Sequence, residues 1–133
     1  MKKVALLATL IFSVMFSSAS YAEWTKVTGE VGGDNLYVDF DSIRIVDGYV
    51  FYWILKDYIL PIPSGYLSDR TYAKGDCKLF RRKWLSIFWH REPMGGGNSK
   101  ANSPLPKVLQ HWVSPSPHST FGIVLKAVCD HVK

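Results

Sequence analysis

Ile43-Arg44-Ile45-Val46-Asp47-Gly48-Tyr49-Val50-Phe51-Tyr52-Trp53 is the stretch on which the fold turns. Two runs rich in β-branched and aromatic residues flank a two-residue Asp-Gly step. Such a step favours a type I′ turn, whose backbone twist matches that of paired antiparallel strands. The turn then sets the register, with Ile45 opposite Val50, Arg44 opposite Phe51 and Ile43 opposite Tyr52. The second strand runs on to Tyr58, and its centre has no polar face. Val50, Tyr52 and Ile54 point one way; Tyr49, Phe51, Trp53 and Leu55 point the other. A strand with one wet face alternates apolar and polar residues. Both sides of this sheet are therefore expected to be covered, and one helix can cover only one. The other side needs a loop, a partner subunit or a ligand.

Outward from the hairpin, the pattern stays β-rich. Glu23 to Val27 reads as a first strand anchored by Trp24, Gly29 to Asp34 as a turn, and Asn35 to Phe40 as a second strand. Asp69 to Asp76 is expected to be extended after the Pro61–Ser68 connection. Leu79 to His90 reads as a long strand that places Phe80, Trp84 and Phe88 on one face. Pro93 to Pro106, with Gly95-Gly96-Gly97, reads as a long flexible loop, and Val108 to Val113 as a short last strand. Ser119 or Thr120 can cap a closing helix to about Asp130, where Phe121, Leu125, Val128 and Val132 form one apolar stripe.

The N-terminus says where the chain works. Lys2 and Lys3 precede an apolar run from Val4 to Phe16, and Ser20-Tyr21-Ala22 offers small residues where a signal peptidase cuts. The run is about 13 residues, short of the roughly 20 that span a membrane. Residues 1–22 are thus expected to be a cleaved signal peptide and residues 23–133 one mature domain. No cysteine follows the run, which argues against a lipoprotein anchor. The formal charge of +5 falls to +3 without Lys2 and Lys3. That excess is mild, and with export it argues against a nucleic-acid partner.

Cys77 and Cys129 are the two cysteines of the chain. An even count in an oxidising compartment points to one disulfide, which would fasten the closing helix to the sheet. Two free or metal-binding thiols are the alternative, and no C-x-x-C spacing supports it. Closing a loop of this length stabilises a fold by roughly 4 kcal/mol in the chain-entropy model.

No residue pattern names a reaction. Ser119 beside His118 lacks a nucleophile elbow, and no P-loop or dinucleotide fingerprint exists. His90, His111, His118 and His131 show no metal-ligand spacing and read as scattered surface histidines. Asp39 and Asp41 read as a side-chain-capped turn at a strand end. Lys78, Arg81, Arg82, Lys83 and Arg91, interleaved with Phe80, Trp84 and Trp89, form the densest charge. Strand alternation sends Arg82 one way and Arg81 and Lys83 the other. Acidic proteins, sulfated glycans or anionic lipids suit such a cluster, although cations on an edge strand also prevent unwanted pairing.

The order of features resembles the surface-adhesin protein E family. Its likeness lies in Trp24; Tyr37-Val38-Asp39 leading into Asp41-Ser42-Ile43-Arg44; Gly48; Trp53; and Asp57-Tyr58. It continues through Asp76-Cys77, Arg82, Pro93-Met94-Gly95, Trp112, Pro115 and Leu125-Lys126-Ala127-Val128-Cys129. The resemblance implies an α+β fold: a single antiparallel sheet of about six strands packed against one C-terminal helix, with one disulfide. It further implies a role at the cell envelope, in adhesion to host proteins; with the missing catalytic motifs, the expectation is a non-enzymatic protein in the periplasm or at the outer surface that binds host or envelope proteins, with no cofactor. Tyr49, Phe51, Trp53, Arg81, Lys83 and Trp89 are the expected binding residues, since aromatics and arginine dominate binding hot spots. Two other readings are a periplasmic carrier of a small haem-like ligand and a homodimer joined through the aromatic face.

Overall fold

The computed structural model describes residues 22–29 and 33–133. The expected signal peptide, Ala22 apart, and the centre of the Gly29–Asp34 turn lie outside the described residues. The hairpin forms around Asp47 and Gly48, whose φ values of 53° and 80° are both left-handed, as a type I′ turn requires. Its strands are β3 (Arg44–Val46) and β4 (Tyr49–Asp57), with Ile45 opposite Val50 and Arg44 opposite Phe51. The expected Ile43–Tyr52 pair is not made. The Ser42 hydroxyl and amide both donate to the Asp39 carbonyl, curling Phe40–Ser42 into a 3-10 turn that delivers Ile43 to the core instead. The Asp39 side chain caps nothing; its backbone makes the turn.

The remaining strands are β1 (Thr25–Gly29), β2 (Asn35–Val38), β5 (Ser68–Asp76), β6 (Arg81–His90) and β7 (Ser99–Asn102). They form one seven-stranded antiparallel sheet in the order β1-β2-β4-β5-β6-β7, with β3 also on β4. Along one edge of β4, β2 pairs with Ile54–Asp57 and β3 with Tyr49–Phe51, while β5 pairs with Val50 to Asp57 along the other edge. The seventh strand, β7, arises inside the segment expected to be a flexible loop. Its start is pinned rather than free. The Met94 amide donates to Asp57 Oδ1 at 2.8 Å, the Gly95 amide to Ser68 Oγ at 2.9 Å, and Ser68 Oγ to the Glu92 carbonyl at 2.7 Å. The expected last strand is reduced to Val113, which exchanges two hydrogen bonds with Arg82. The other half of that edge of β6 is already taken by β7, and Lys107–Leu109 coils into a 3-10 turn.

One irregularity rearranges β6. Tyr72 faces Ser86 and Ala73 faces Trp84, so Leu85 is an extra residue with no partner on β5. A bulge of this kind reverses the side-chain alternation beyond it. Trp84 and Phe88 therefore lie on opposite faces, against the expectation of a shared one. Trp84 meets Phe121 of the helix at 5.1 Å between ring centroids, and Phe88 meets Trp53 at 5.7 Å.

Helix α1 (Thr120–His131) closes the fold, with the Ser119 hydroxyl accepting from the Gly122 amide at 3.1 Å. Val124, Leu125 and Val128 of α1 are fully buried against Leu36, Val38, Val50, Tyr52, Ile54 and Ala73. Burying each such aliphatic side chain contributes about 1.5–3 kcal/mol. Gly75 lets the helix settle: a Cβ there would stand 2.8 Å from Val50 and 3.0 Å from Leu125. The Cys77–Cys129 disulfide ties the turn after β5 to the last turn of α1.

Candidate binding surface

Residues opposite one another in an antiparallel ladder share a face. Away from α1, β4 presents Tyr49, Phe51 and Trp53; their register partners are Val46, Arg44 with Lys74, and Tyr72. Arg70, opposite both Leu55 and Phe88, extends the same face towards β6, where Arg81 and Lys83 lie before the bulge and Phe88 after it. Trp112 joins from the segment that the Val113 bridge holds beside β6. Its ring stacks on Tyr49 at 5.7 Å.

Cations and rings alternate across this face. Arg70 lies 5.3 Å from the Trp53 centroid and 5.1 Å from that of Phe88. Lys74 lies 4.2 Å from Tyr49, and Arg81 and Lys83 lie 4.4 and 4.5 Å from Trp112. Trp53 and Tyr72 are in contact at 4.7 Å. The negative face of each ring attracts the cation, and an exposed pair of this kind contributes about 0.5–1 kcal/mol. The rings are half-buried, so the surface between the charges is open.

Charge on the face is unbalanced. Among the described residues, Arg81 alone of Arg44, Arg70, Lys74, Arg81 and Lys83 reaches a carboxylate, Asp76 Oδ2 at 3.0 Å. Asp76 is largely consumed, since it also accepts from the Lys78 and Leu79 amides at 3.1 and 3.2 Å. Burial pushes its carboxyl up, but the Leu79 amide, Arg81 and the Lys78 amide outweigh that and hold it below the usual range.

The Pro93–Gly95 turn seals one end of the face, with Gly95 against Leu55 and Arg70. His90 sits beside it, buried rather than on the surface as expected. Arg70 Nε donates to His90 Nε2 at 2.9 Å, so the neutral ring carries its proton on Nδ1. Burial, then the Arg70 charge, lowers the His90 pKa below 6.5, although the backbones of Gly97 and Gly96 oppose the shift. Nδ1 itself is buried without a hydrogen-bond partner.

Of the six expected binding residues, Tyr49, Phe51, Trp53, Arg81 and Lys83 share this face. Trp89 does not: it faces Asp69, one position past Phe88, and so points to the helix side. Phe88 takes the place expected of it, because of the bulge at Leu85. Arg44, Arg70, Tyr72, Lys74 and Trp112 were not among the expected residues. Alternation along Asp69–Asp76 marks Arg70, Tyr72 and Lys74, whereas nothing local marks Trp112. Arg82 lies on the helix side, 3.7 Å from the Trp84 centroid. Two cavities also lie on that side. One, about 490 Å³, includes Leu36, Lys56, Ser119 and Phe121 in its wall; the other, about 450 Å³, is lined in part by Cys77, Phe80 and Cys129. Neither is lined by Tyr49, Phe51 or Trp53.

Residues 24–130 match the family model described as Surface-adhesin protein E. The chain belongs to that family. Membership places it among exported, adhesin-like surface proteins. Solved structures of Haemophilus influenzae protein E are similar in fold. A second crystal form aligns with a TM-score of 0.61 at 19% identity, covering 87% of this chain and 94% of the other. Another structure gives 0.58 at 18%, covering 85% and 88%. One from a non-typeable strain gives 0.58 at 19%, covering 85% and 79%. No curated protein sequence matches. The adhesin E fold accounts for the sheet and the closing helix, and among the described residues no helix is long and apolar enough to cross a membrane.

Proposed function

We propose that this adhesin E protein is a non-enzymatic envelope component that docks host or envelope proteins on the sheet face opposite α1. The observation that carries the reading is the partly exposed row of Tyr49, Phe51, Trp53, Tyr72 and Phe88 interleaved with cations of which, among the described residues, Arg81 alone has an acidic partner. These rings are only partly covered, on a sheet that already owns a dry core on its other side. Rings and guanidinium groups are the residue types that concentrate binding energy at interfaces. The docking residues are Tyr49, Phe51, Trp53, Arg81 and Lys83, joined by Phe88. In this reading residues 1–22 are removed on export and residues 23–133 form the working domain.

The test uses the oxidised mature protein on immobilised host matrix proteins and envelope extract. Trp53→Ala is expected to lower attachment at least tenfold with an unchanged far-ultraviolet dichroism spectrum. Trp89→Ala, on the other face, is the control and should attach as the parent does. Equal attachment by all three proteins would remove the open face as the docking site.

A further inference from the structure

We propose that the open face docks host proteins through the sulfated glycan chains they carry, which deepens the docking reading above and rests on it. The face offers donors and almost no free acceptors. Guanidinium and ammonium groups only donate. Of the carboxylates on this face, Asp76 is taken up by Arg81, Lys78 and Leu79, and Asp57, at the sealed end, gives one oxygen to the Met94 amide. A ligand that suits it is acceptor-rich and anionic. Sulfate esters only accept, and their oxygens match the fork of an arginine.

The rings narrow the class. Arg70 and Lys74 stand on one face of β5, four residues and thus roughly 13 Å apart. Tyr72 lies between them, with Trp53 packed beside it. The sequence is cation, flat apolar surface, cation, continued by Tyr49 and Trp112 to Lys83. A sulfated polysaccharide has that same alternation of ionic groups and rings. The electropositive C–H edges of a pyranose pack on the negative faces of aromatic rings. An acidic peptide supplies charge without such flat C–H surfaces. Single-stranded nucleic acid supplies charge and stacking, but an exported surface protein meets sulfated glycans as the abundant extracellular polyanion. Arg44, Arg70, Lys74 and Lys83, which have no acidic partner among the described residues, make the attraction long-ranged at low salt.

The probe is heparin, immobilised, with the oxidised mature protein eluted by a sodium chloride gradient. Retention is expected at about 0.15 M salt, with release by free heparin and dextran sulfate. Uncharged dextran, and polyaspartate or single-stranded DNA at equal charge concentration, should release little. Lys74→Gln with Lys83→Gln is expected to weaken binding on the order of tenfold. Lys126→Gln with Lys133→Gln makes the same charge change on the helix side and should leave binding as it was. Absence of retention, equal release by polyaspartate or DNA, or equal loss from the two double variants would each overturn the inference. The docking reading is judged separately. If the parent ignores heparin while Trp53→Ala still loses matrix attachment, the glycan inference falls and the docking face stands. If Trp53→Ala changes neither heparin binding nor matrix attachment, both fall.

Discussion

The two sides of one sheet are built from different chemistry. On the helix side, Leu36, Val38, Val50, Ile54, Val124, Leu125 and Val128 are sealed from water and fastened by a covalent bond. On the other, larger aromatic rings are left partly exposed and flanked by cations. Aliphatic burial yields its full hydrophobic gain only when complete, whereas a cation over a ring keeps its charge in water. The contrast teaches that stability and recognition are assigned to separate faces. A substitution should therefore disturb one and spare the other.

The largest effect is expected on the sealed side. Replacing Cys77 and Cys129 together by Ala should lower stability by about 4 kcal/mol, given the 52-residue separation of the pair. Chemical denaturation of the mature protein with and without reductant measures the same quantity. A reduced protein as stable as the oxidised one would mean that the packing of α1, and not its tether, holds the two layers together.

Next comes a pair that sets the faces directly against each other. Leu125→Ala empties a fully buried site and should cost about 2–5 kcal/mol with little change in attachment below its melting point. Trp53→Ala should cost less stability, about 1–2 kcal/mol for a half-buried ring with its stacking partners, yet lose attachment. Denaturant midpoints and surface binding, read on both variants, decide it. A reversed ranking in stability would dissolve the distinction between the faces.

That distinction was half legible in the sequence. The type I′ turn follows from two residues, because Asp47 and Gly48 accept left-handed backbone without help from the rest of the chain. From it came the register of β3 on β4 and the two apolar faces of β4. The helix stripe and the pairing of Cys77 with Cys129 were equally readable, the first from periodicity and the second from parity and compartment. The composition of the open face beyond β4 was less so. Arg70, Tyr72 and Lys74 needed only strict alternation along β5. Phe88 and Trp89 exchange faces because Leu85 is bulged, and a bulge depends on the neighbouring strand and on the Leu105 amide that takes the Leu85 carbonyl at 2.8 Å. Trp112 arrives through a single bridge at Val113, a long-range contact without a local pattern. His90 looked like a surface residue because its cover, the Pro93–Gly95 turn, hangs on side chains of distant strands, Asp57 and Ser68.

The smallest effect is a pH dependence centred on that covered end. His90 is neutral in the fold because it is buried and because Arg70, its hydrogen-bond donor, repels a second positive charge. In the unfolded chain it titrates near its ordinary value of 6.5. The unfolded state therefore takes up a proton that the fold refuses, so stability is full above that value and falls as the pH drops below it, until the lowered folded pKa is passed. Asp76 acts in a lower window. Its depressed carboxyl contributes stability above the ordinary 3.8, lost as the pH falls through the folded value. Unfolding free energies measured from about pH 7 to about pH 5 cover the histidine, and comparison with a His90 variant separates it from Asp69, whose carboxyl burial pushes up. In the parent they should decline, and in His90→Gln, which keeps an acceptor for Arg70, the decline should flatten. An unchanged slope in the variant would show that the proton is taken up elsewhere. A flattened one would assign the proton uptake to His90, at the end of the open face where Arg70 donates to it.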